Sequence, residues 1–403
     1  MKTISQLRSQ AVRLMLLGLV LAVAGCSGSM PRLGSSGSDD FVTPQEGMIL
    51  PQAKGETFGT GPVRVALLLP LTGDGALAGV GTSMANASKL AIDFIATSTT
   101  IPDNITVVLK DTGTSAGGAA SAASQALSEG ASLILGPLRA DQVTAAGKVA
   151  RAAGIPLIGF SNNSGVAGPG VYLLNVLPEV EARRSLRYVA GKGRQSFAAI
   201  FPTTDYGRIQ QSAFQQAVAD LGLGARAVYT YSSEAEARAA VQQVAPLLQA
   251  GQIDALFLPD RATAPSFGIL LEQAGVPRGK VQIIGSADWN ADVNIGSTPY
   301  LTGAVFPAVD DVGYQALRKE YEAKFGKTPH ALATIAYTAT ILANASSLSM
   351  GTPRYDRAQL TLSAGFNGRD GIFRFLPDGR SEYALVMKEV TSGGSKVVDA
   401  AKL

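Results

Sequence analysis

The sequence predicts an α/β protein made of two doubly wound lobes, each a largely parallel sheet with helices on both faces. Three observations carry this. Short apolar runs such as Val63–Leu69 alternate with longer amphipathic stretches, the pattern of strands buried on both faces and of the helices that cover them. The alternation runs to Gly159 and restarts after Asn175–Glu181; a closed (β/α)8 barrel would space its strands evenly without a restart. About 340 residues follow an N-terminal segment of different composition, more than one core usually supports.

That N-terminal segment comes first. Met1–Arg13 carries Lys2, Arg8 and Arg13 with no acid, and Leu14–Ala24 is an apolar run, the charge and length of a secretory signal. A stable membrane span needs roughly 20 apolar residues, and this run is shorter. It ends in Val23-Ala24-Gly25-Cys26, which resembles the bacterial lipobox, whose cysteine is lipidated and becomes the new N-terminus. Cys26 is the only cysteine of the chain, so no disulfide framework accounts for it. Residues 1–25 are therefore expected to be a lipoprotein signal peptide, with Cys26 the lipidation site. Ser27 stands where Asp would imply inner-membrane retention in many Gram-negative bacteria, so the resemblance implies a lipid anchor in the outer membrane, facing the periplasm. The chain has 34 Lys+Arg; without the three in the signal, 31 remain against 31 Asp+Glu. A neutral mature chain gives no general case for nucleic acid or an anionic surface. Residues 26–61, rich in Gly, Ser and Pro, are expected to form a flexible tether.

The first series opens with the strand Val63–Leu69, a Pro/Gly-rich loop, and a helix from about Thr82 with one face at Met84, Ala87, Ala91, Phe94 and Ile95. Strands are expected at Ile105–Lys110, Ser132–Leu135 and Ile155–Gly159, with helices at Ser115–Glu129 and Asp141–Ala153. The second series reads as strands Ala198–Phe201, Ala225–Tyr229, Ala255–Leu258 and Val281–Ile284, with helices Tyr206–Leu221, Glu234–Gln249 and Ala264–Gln273. In open sheets of this kind, ligands meet the loops at the carboxyl ends of the strands.

The element order, with ALLLPLTG, EGASLILGPLRAD, GIPLIGFSNN, IFPTTDYGR and FNGRDGIFRFLPDGR in sequence, resembles the type I periplasmic-binding fold and, within it, the leucine/isoleucine/valine-binding branch. The likeness covers about residues 62–392. It implies three crossovers, placed near Pro178, Thr302 and Ser349, a hinge-bending cleft, one lobe of 62–178 plus 303–348, a second of 179–302 plus 349–395, and a tail at 396–403.

The resemblance also implies a ligand site. Amino-acid binders of this branch hold the ligand carboxylate with hydroxyls and backbone N–H groups at helix starts, where unpaired donors and the helix dipole favour an anion. They hold the ammonium with a carboxylate and aromatic walls of the second lobe. The matching positions are Arg139 and Asp141, then Ser161, Asn162 and Asn163, Tyr206, Asp288 and Trp289. Two positions depart from the pattern: Ala140 stands where a binding serine is expected, and Asn162 and Asn163 replace a small residue followed by Thr. Asn can still donate and accept, and Arg139 can grip a carboxylate or pair with Asp141.

ALLLPLTG and LILGPL on an outer-membrane-type lipoprotein also resemble the penicillin-binding protein activators, which use this fold to regulate peptidoglycan synthesis. That resemblance gives the first functional expectation: a tethered, non-catalytic regulator whose partner is a peptidoglycan synthase. The alternative is the substrate-binding protein of an ABC importer, with a permease as partner and an amino acid or similar polar solute as ligand. Catalysis is not expected. One histidine, His330, and one lipidated cysteine give no Ser-His, Cys-His or His/Cys zinc arrangement. Neither a G-x-S-x-G elbow nor a P-loop occurs, and Gly73–Gly79 lacks the spacing and downstream acid of a dinucleotide loop. No cofactor or metal is expected. Asp310-Asp311 reads as a solvated turn. With aromatics at 6% and no basic-aromatic stripe, nucleic acid is not an expected partner.

Overall fold

A computed structural model of the chain describes residues 50–403; the signal segment, Cys26 and the first part of the expected tether lie outside them. The first series contains β1 (Thr57–Phe58), β2 (Val63–Leu69), α1 (Gly75–Thr97), β3 (Ile105–Asp111), α2 (Ala116–Ser128), β4 (Leu133–Leu135), α3 (Ala140–Ala152), β5 (Leu157–Gly159) and β6 (Val171–Leu173). Its sheet has the order β1-β3-β2-β4-β5-β6 and is parallel except at β1. The short strands β4 and β5 are wholly buried, as apolar runs covered on both faces must be.

The second series contains α4 (Pro178–Gly191), β7 (Ser196–Pro202), α5 (Asp205–Asp220), β8 (Gly224–Tyr231), α6 (Glu234–Gln249), β9 (Ala255–Phe257), α7 (Ala264–Gln273), β10 (Gln282–Ile284), α8 (Val293–Ser297) and β11 (Val305–Ala308). The chain then returns to the first core through α9 (Asp311–Phe325), α10 (Ala333–Asn344), α11 (Ser346–Ser349), α12 (Arg357–Leu360) and the small antiparallel sheet of β12 (Phe366–Gly368), β13 (Gly371–Phe375) and β14 (Ser381–Tyr383). Finally β15 (Leu385–Thr391) and β16 (Gly394–Lys402) complete the second sheet, order β16-β15-β11-β10-β9-β7-β8. Two separate apolar clusters cover its faces, one built with α6 and α7 and the other with α4 and α5. The result is the α/β fold of two doubly wound lobes, that of type I periplasmic-binding proteins.

Several boundaries differ from the sequence reading. Helix α1 starts at Gly75, not near Thr82, because Asp74 caps it by accepting from the Ala76 N–H at 3.0 Å. The glycines that read as loop allow close packing: a Cβ on Gly81 would stand 2.0 Å from the Pro70 carbonyl oxygen. The last residues of the expected tether are part of the first lobe. Thr57–Phe58 pairs with β3, and the carbonyls of Pro51 and Lys54 accept from Arg64 and Lys110. Lys110 is itself buried against Glu129 at 2.7 Å.

The crossovers expected near Thr302 and Ser349 lie elsewhere. Val305–Ala308 pairs with β10 and β15 of the second sheet, so the chain passes back at Val309. Leu348, Tyr355, Leu360, Phe373, Phe375 and Tyr383 all pack into the first core, so the last passage falls at Ala384. The apolar faces decide this: Phe373 stacks on Tyr383 at 5.4 Å and Phe375 lies against Tyr172 of β6 at 5.4 Å. The expected 396–403 tail is most of β16, with Asp399 held at 2.7 Å by Arg184 of α4.

Candidate functional site

A cavity of about 330 Å³ lies between the lobes. Each chain passage contributes to it: Asn175 and Val176 after β6, Ala308 and Val309 at the end of β11, and Tyr383 at the end of β14. Loops after β9 and β10 supply Arg261, Ala287, Asp288 and Asn290 from the second lobe, as expected for carboxyl ends of parallel strands. The first lobe supplies the start of α10 and Asp370, the turn residue between β12 and β13.

The charged groups are few. Arg261 lies 3.5 Å from Asp288, both about half exposed. Partial burial raises the Asp288 carboxyl above its ordinary range; Arg261 opposes this, while Asp260 and Asp292 add to it. Asp370 is only 7% exposed. Burial pushes its carboxyl up to about 6, and a hydrogen bond from Thr334 pulls the other way. Tyr383 beside it is buried, and burial followed by the Asp370 charge lifts its phenol well up. Two carboxyls and one guanidinium therefore face a small, partly dry space.

Beneath the Asp288 loop, Glu181 of α4 is buried and accepts the Ala287 N–H at 3.1 Å. Burial is the main reason its carboxyl is pushed up to about 7; the hydrogen bonds from Ala287 and Gln210 oppose it, and Asp288 and Glu179 add to it. Asn290 is fixed from two sides, donating to Asp311 at 3.0 Å and accepting from Lys388 at 2.9 Å. The cavity wall is thus held by its own second layer of polar contacts.

Of the eight positions picked from sequence, only Asp288 lines this cavity. Arg139 and Asp141 pair with each other at 3.1 Å, half exposed at the start of α3. Ser161 is buried and accepts the Asn163 N–H at 3.1 Å. Asn163 in turn accepts the Gly165 N–H at 3.0 Å, so both shape the loop after β5; Asn162 beside them is exposed. The Tyr206 hydroxyl donates to the Pro259 carbonyl at 3.2 Å and lies 3.0 Å from Ser286 Oγ. It is engaged by its own lobe. Trp289, expected as an aromatic wall, is instead core: it is 1% exposed, with Phe306 at 6.3 Å. Gly285 makes room for it, since a Cβ there would stand 2.2 Å from the indole ring. Asp311, expected in a solvated turn, pairs with buried Lys388. His330 is exposed, with its Nδ1 accepting the Leu332 N–H at 3.2 Å.

Sequence reasoning missed Arg261, Asp370 and Glu181. The signal for Asp370 is the Gly-Arg-Asp-Gly turn inside FNGRDGIFRFLPDGR. Its two charges part: Arg369 stacks over the Tyr337 ring at 4.4 Å and reaches Glu320, while Asp370 lines the cavity.

Two doubly wound sheets, three chain passages and a cavity beside them define a binding protein of the type I periplasmic class. Residues 62–394 match the periplasmic binding protein family, and the chain belongs to it. No curated protein matches it by sequence. Solved structures resemble it in fold. One, assigned as a branched-chain amino acid ABC transporter from Rhodospirillum rubrum, is 21% identical, with a TM-score of 0.71 over 83% of this chain and 99% of that one. An ABC transporter substrate-binding protein from Desulfitobacterium hafniense in complex with Leu is 17% identical, with a TM-score of 0.62 over 83% and 99%. A solute-binding protein from Rhodopseudomonas palustris in complex with benzoate is 18% identical, with a TM-score of 0.57 over 85% and 98%.

Proposed function

We propose that this chain is the solute-binding component of an importer, holding a small polar ligand between its lobes in the periplasm and handing it to a membrane permease. The observation that carries the reading is the cavity of about 330 Å³ walled by both lobes and by all three chain passages. A ligand there touches both lobes at the points about which they rotate, so binding energy is converted into closure. The charges favour an amino acid or a similar solute. Arg261 offers a fork of donors to a carboxylate, and Asp288 and Asp370 offer acceptors to an ammonium. The leucine and benzoate in the neighbouring structures are carboxylates of a size such a cavity takes. The protein binds without chemistry and needs no cofactor. Cys26 carries the lipid that keeps it at the membrane, and the Val23–Cys26 motif supports this.

Regulation of a peptidoglycan synthase, the first expectation from sequence, is the second reading. Ala140 in place of a carboxylate-binding serine favours it, as does the residue after Cys26, which points to the outer membrane, away from a permease. Membership of the binding-protein family and the ligand-bound neighbours support capture more strongly.

Thermal melting of the chain carrying Cys26→Ala, against amino acids, aromatic carboxylates and muropeptides, separates the two. A ligand that binds only the folded state stabilises it by about 2.7 kcal/mol at 100 times its Kd. A shift with an amino acid that is lost in Arg261→Gln and Asp370→Asn supports capture in this cavity. No shift with any solute, together with retention of a peptidoglycan synthase on the immobilised protein, puts the regulator first.

A further inference from the structure

A second cavity, of about 420 Å³, lies at the other edge of the first sheet. The solute cavity adjoins the carboxyl end of β6 at Asn175, whereas this one adjoins the amino ends of β5 and β6, at Ile155-Pro156 and Gly170. Its rim is basic. Arg151 comes from the last turn of α3, and Arg354 and Arg357 come from the turn into α12. None of the three pairs with a carboxylate among the described residues. Asp356 is the one acid in the lining; one of its carboxylate oxygens caps α12, accepting the Ala358 N–H at 2.9 Å, and its single charge offsets one of the three guanidiniums. Arg357 spends one donor on the Pro377 carbonyl at 3.1 Å. In a mature chain whose charges balance, three such guanidiniums around one concavity are a local excess.

The floor adds an independent feature. Tyr172 of β6 is 1% exposed, its ring packed against Phe375, yet it lines this cavity. Its hydroxyl makes no hydrogen bond to the described residues and is not among their buried unpartnered atoms, so it opens to the cavity and is free to donate. Burial raises the phenol, Arg357 opposes this and Asp356 adds to it, so the hydroxyl shares its surroundings with both charges.

We infer that this cavity is an oxyanion site that takes a phosphate group, gripped by Arg151, Arg354 and Arg357, with the Tyr172 hydroxyl donating from the floor. Several forked guanidiniums and one hydroxyl match a group with three or more acceptor oxygens and more than one charge better than they match a carboxylate. The phosphate has two sources, a soluble phosphate compound or a lipid headgroup. The entry of the chain into the lobe bears on the second: Leu50 lies against Gly130 just before β4, and parallel strands put the amino ends of β4, β5 and β6 on one edge. The site therefore lies at the edge of the sheet where the described residues begin at Leu50. Only the lipid source rests on the Cys26 anchor; neither rests on the solute reading.

The test uses residues 27–403, which lack both the lipidation site and the basic, apolar segment before it, so that neither drives membrane association. Calorimetric titration with inorganic phosphate and with pyrophosphate is compared with co-sedimentation on phosphatidylcholine vesicles, with and without phosphatidylglycerol. Phosphate binding weakened roughly tenfold by Arg151→Gln with Arg354→Gln, and several-fold by Tyr172→Phe, supports the site with a soluble ligand. Vesicle binding that needs phosphatidylglycerol and the same arginines supports it with a headgroup. Absence of both, or binding that is indifferent to the arginines, overturns it. The three arginines are exposed, so their variants keep the fold, and an unchanged melting temperature without phosphate verifies this if Tyr172→Phe does not fold.

Discussion

Glu181 is a buried carboxyl whose environment prefers it protonated. Burial pushes it up to about 7, against an ordinary Glu value near 4.5. Between those values the folded chain holds a proton that the unfolded chain has released, so the stability contributed by this group falls as pH rises through the window. Glu181→Gln removes the titration and keeps an acceptor for the Ala287 N–H. Urea unfolding at pH 5 and pH 8 should show the variant gaining on the parent with rising pH, by at most about 3 kcal/mol. A constant difference would place the titration elsewhere. Gly285 is the opposite case, a residue whose value is the absence of a side chain. Gly285→Ala puts a methyl into the Trp289 ring, and overpacking of this kind costs about 1–3 kcal/mol. The urea midpoint should drop with the slope unchanged.

At the scale of elements, the lobes are tied where strands of one meet helices of the other. Lys388 of β15 is 4% exposed and reaches Asp311 in the first turn of α9, with Asn290 from the cavity wall as third partner. Asp311→Ala leaves a buried ammonium with one neutral acceptor. Because Asp311 is itself half exposed, the cost falls below that of a fully buried pair, at about 1–3 kcal/mol. Adding Lys388→Met should recover most of it, and a thermal double-mutant cycle reads both numbers. Failure of the second change to rescue would mean that Lys388 serves another contact. Glu382 of β14 makes a similar tie, receiving Arg183 of α4 at 2.8 Å and Arg374 of β13 at 2.7 Å.

For the whole molecule, the three passages at Val176, Val309 and Ala384 run beside one cavity, so rotation about them changes its width directly. A saturating cleft ligand should lower the radius of gyration measured by small-angle scattering and slow amide exchange at the passages. The Arg151 and Arg354 variants should leave this response unchanged, because their cavity lies at the far edge of the first sheet. A ligand that raises the melting temperature without compaction would argue for binding to one lobe alone.

The strands and helices of the two βα series were largely legible in the chain because each is encoded locally: the apolar runs of β2 and β3, the start of α2 at Ser115 and the restart after Asn175 need no partner to be recognised, whereas the Asp74 cap was not legible in this way and α1 is expected from sequence only near Thr82. From them follow the α/β class, the two lobes and the family. The lobe to which a segment belongs was not legible. Neither the apolar run Val305–Ala308 nor the polar-interrupted stretch Phe366–Phe375 carries a local mark of its lobe, and only pairing with β10 or packing on Tyr172 assigns them. The site was less legible still. Trp289 and Asp288 are neighbours in sequence, yet one fills the core and the other lines the cavity, while Asp370 meets Asp288 there from another lobe. Sequence by itself determined the local conformations, since those depend on neighbours a few residues apart. Tertiary structure alone decided which charged side chains share one space, because burial and proximity depend on contacts between residues far apart in the chain.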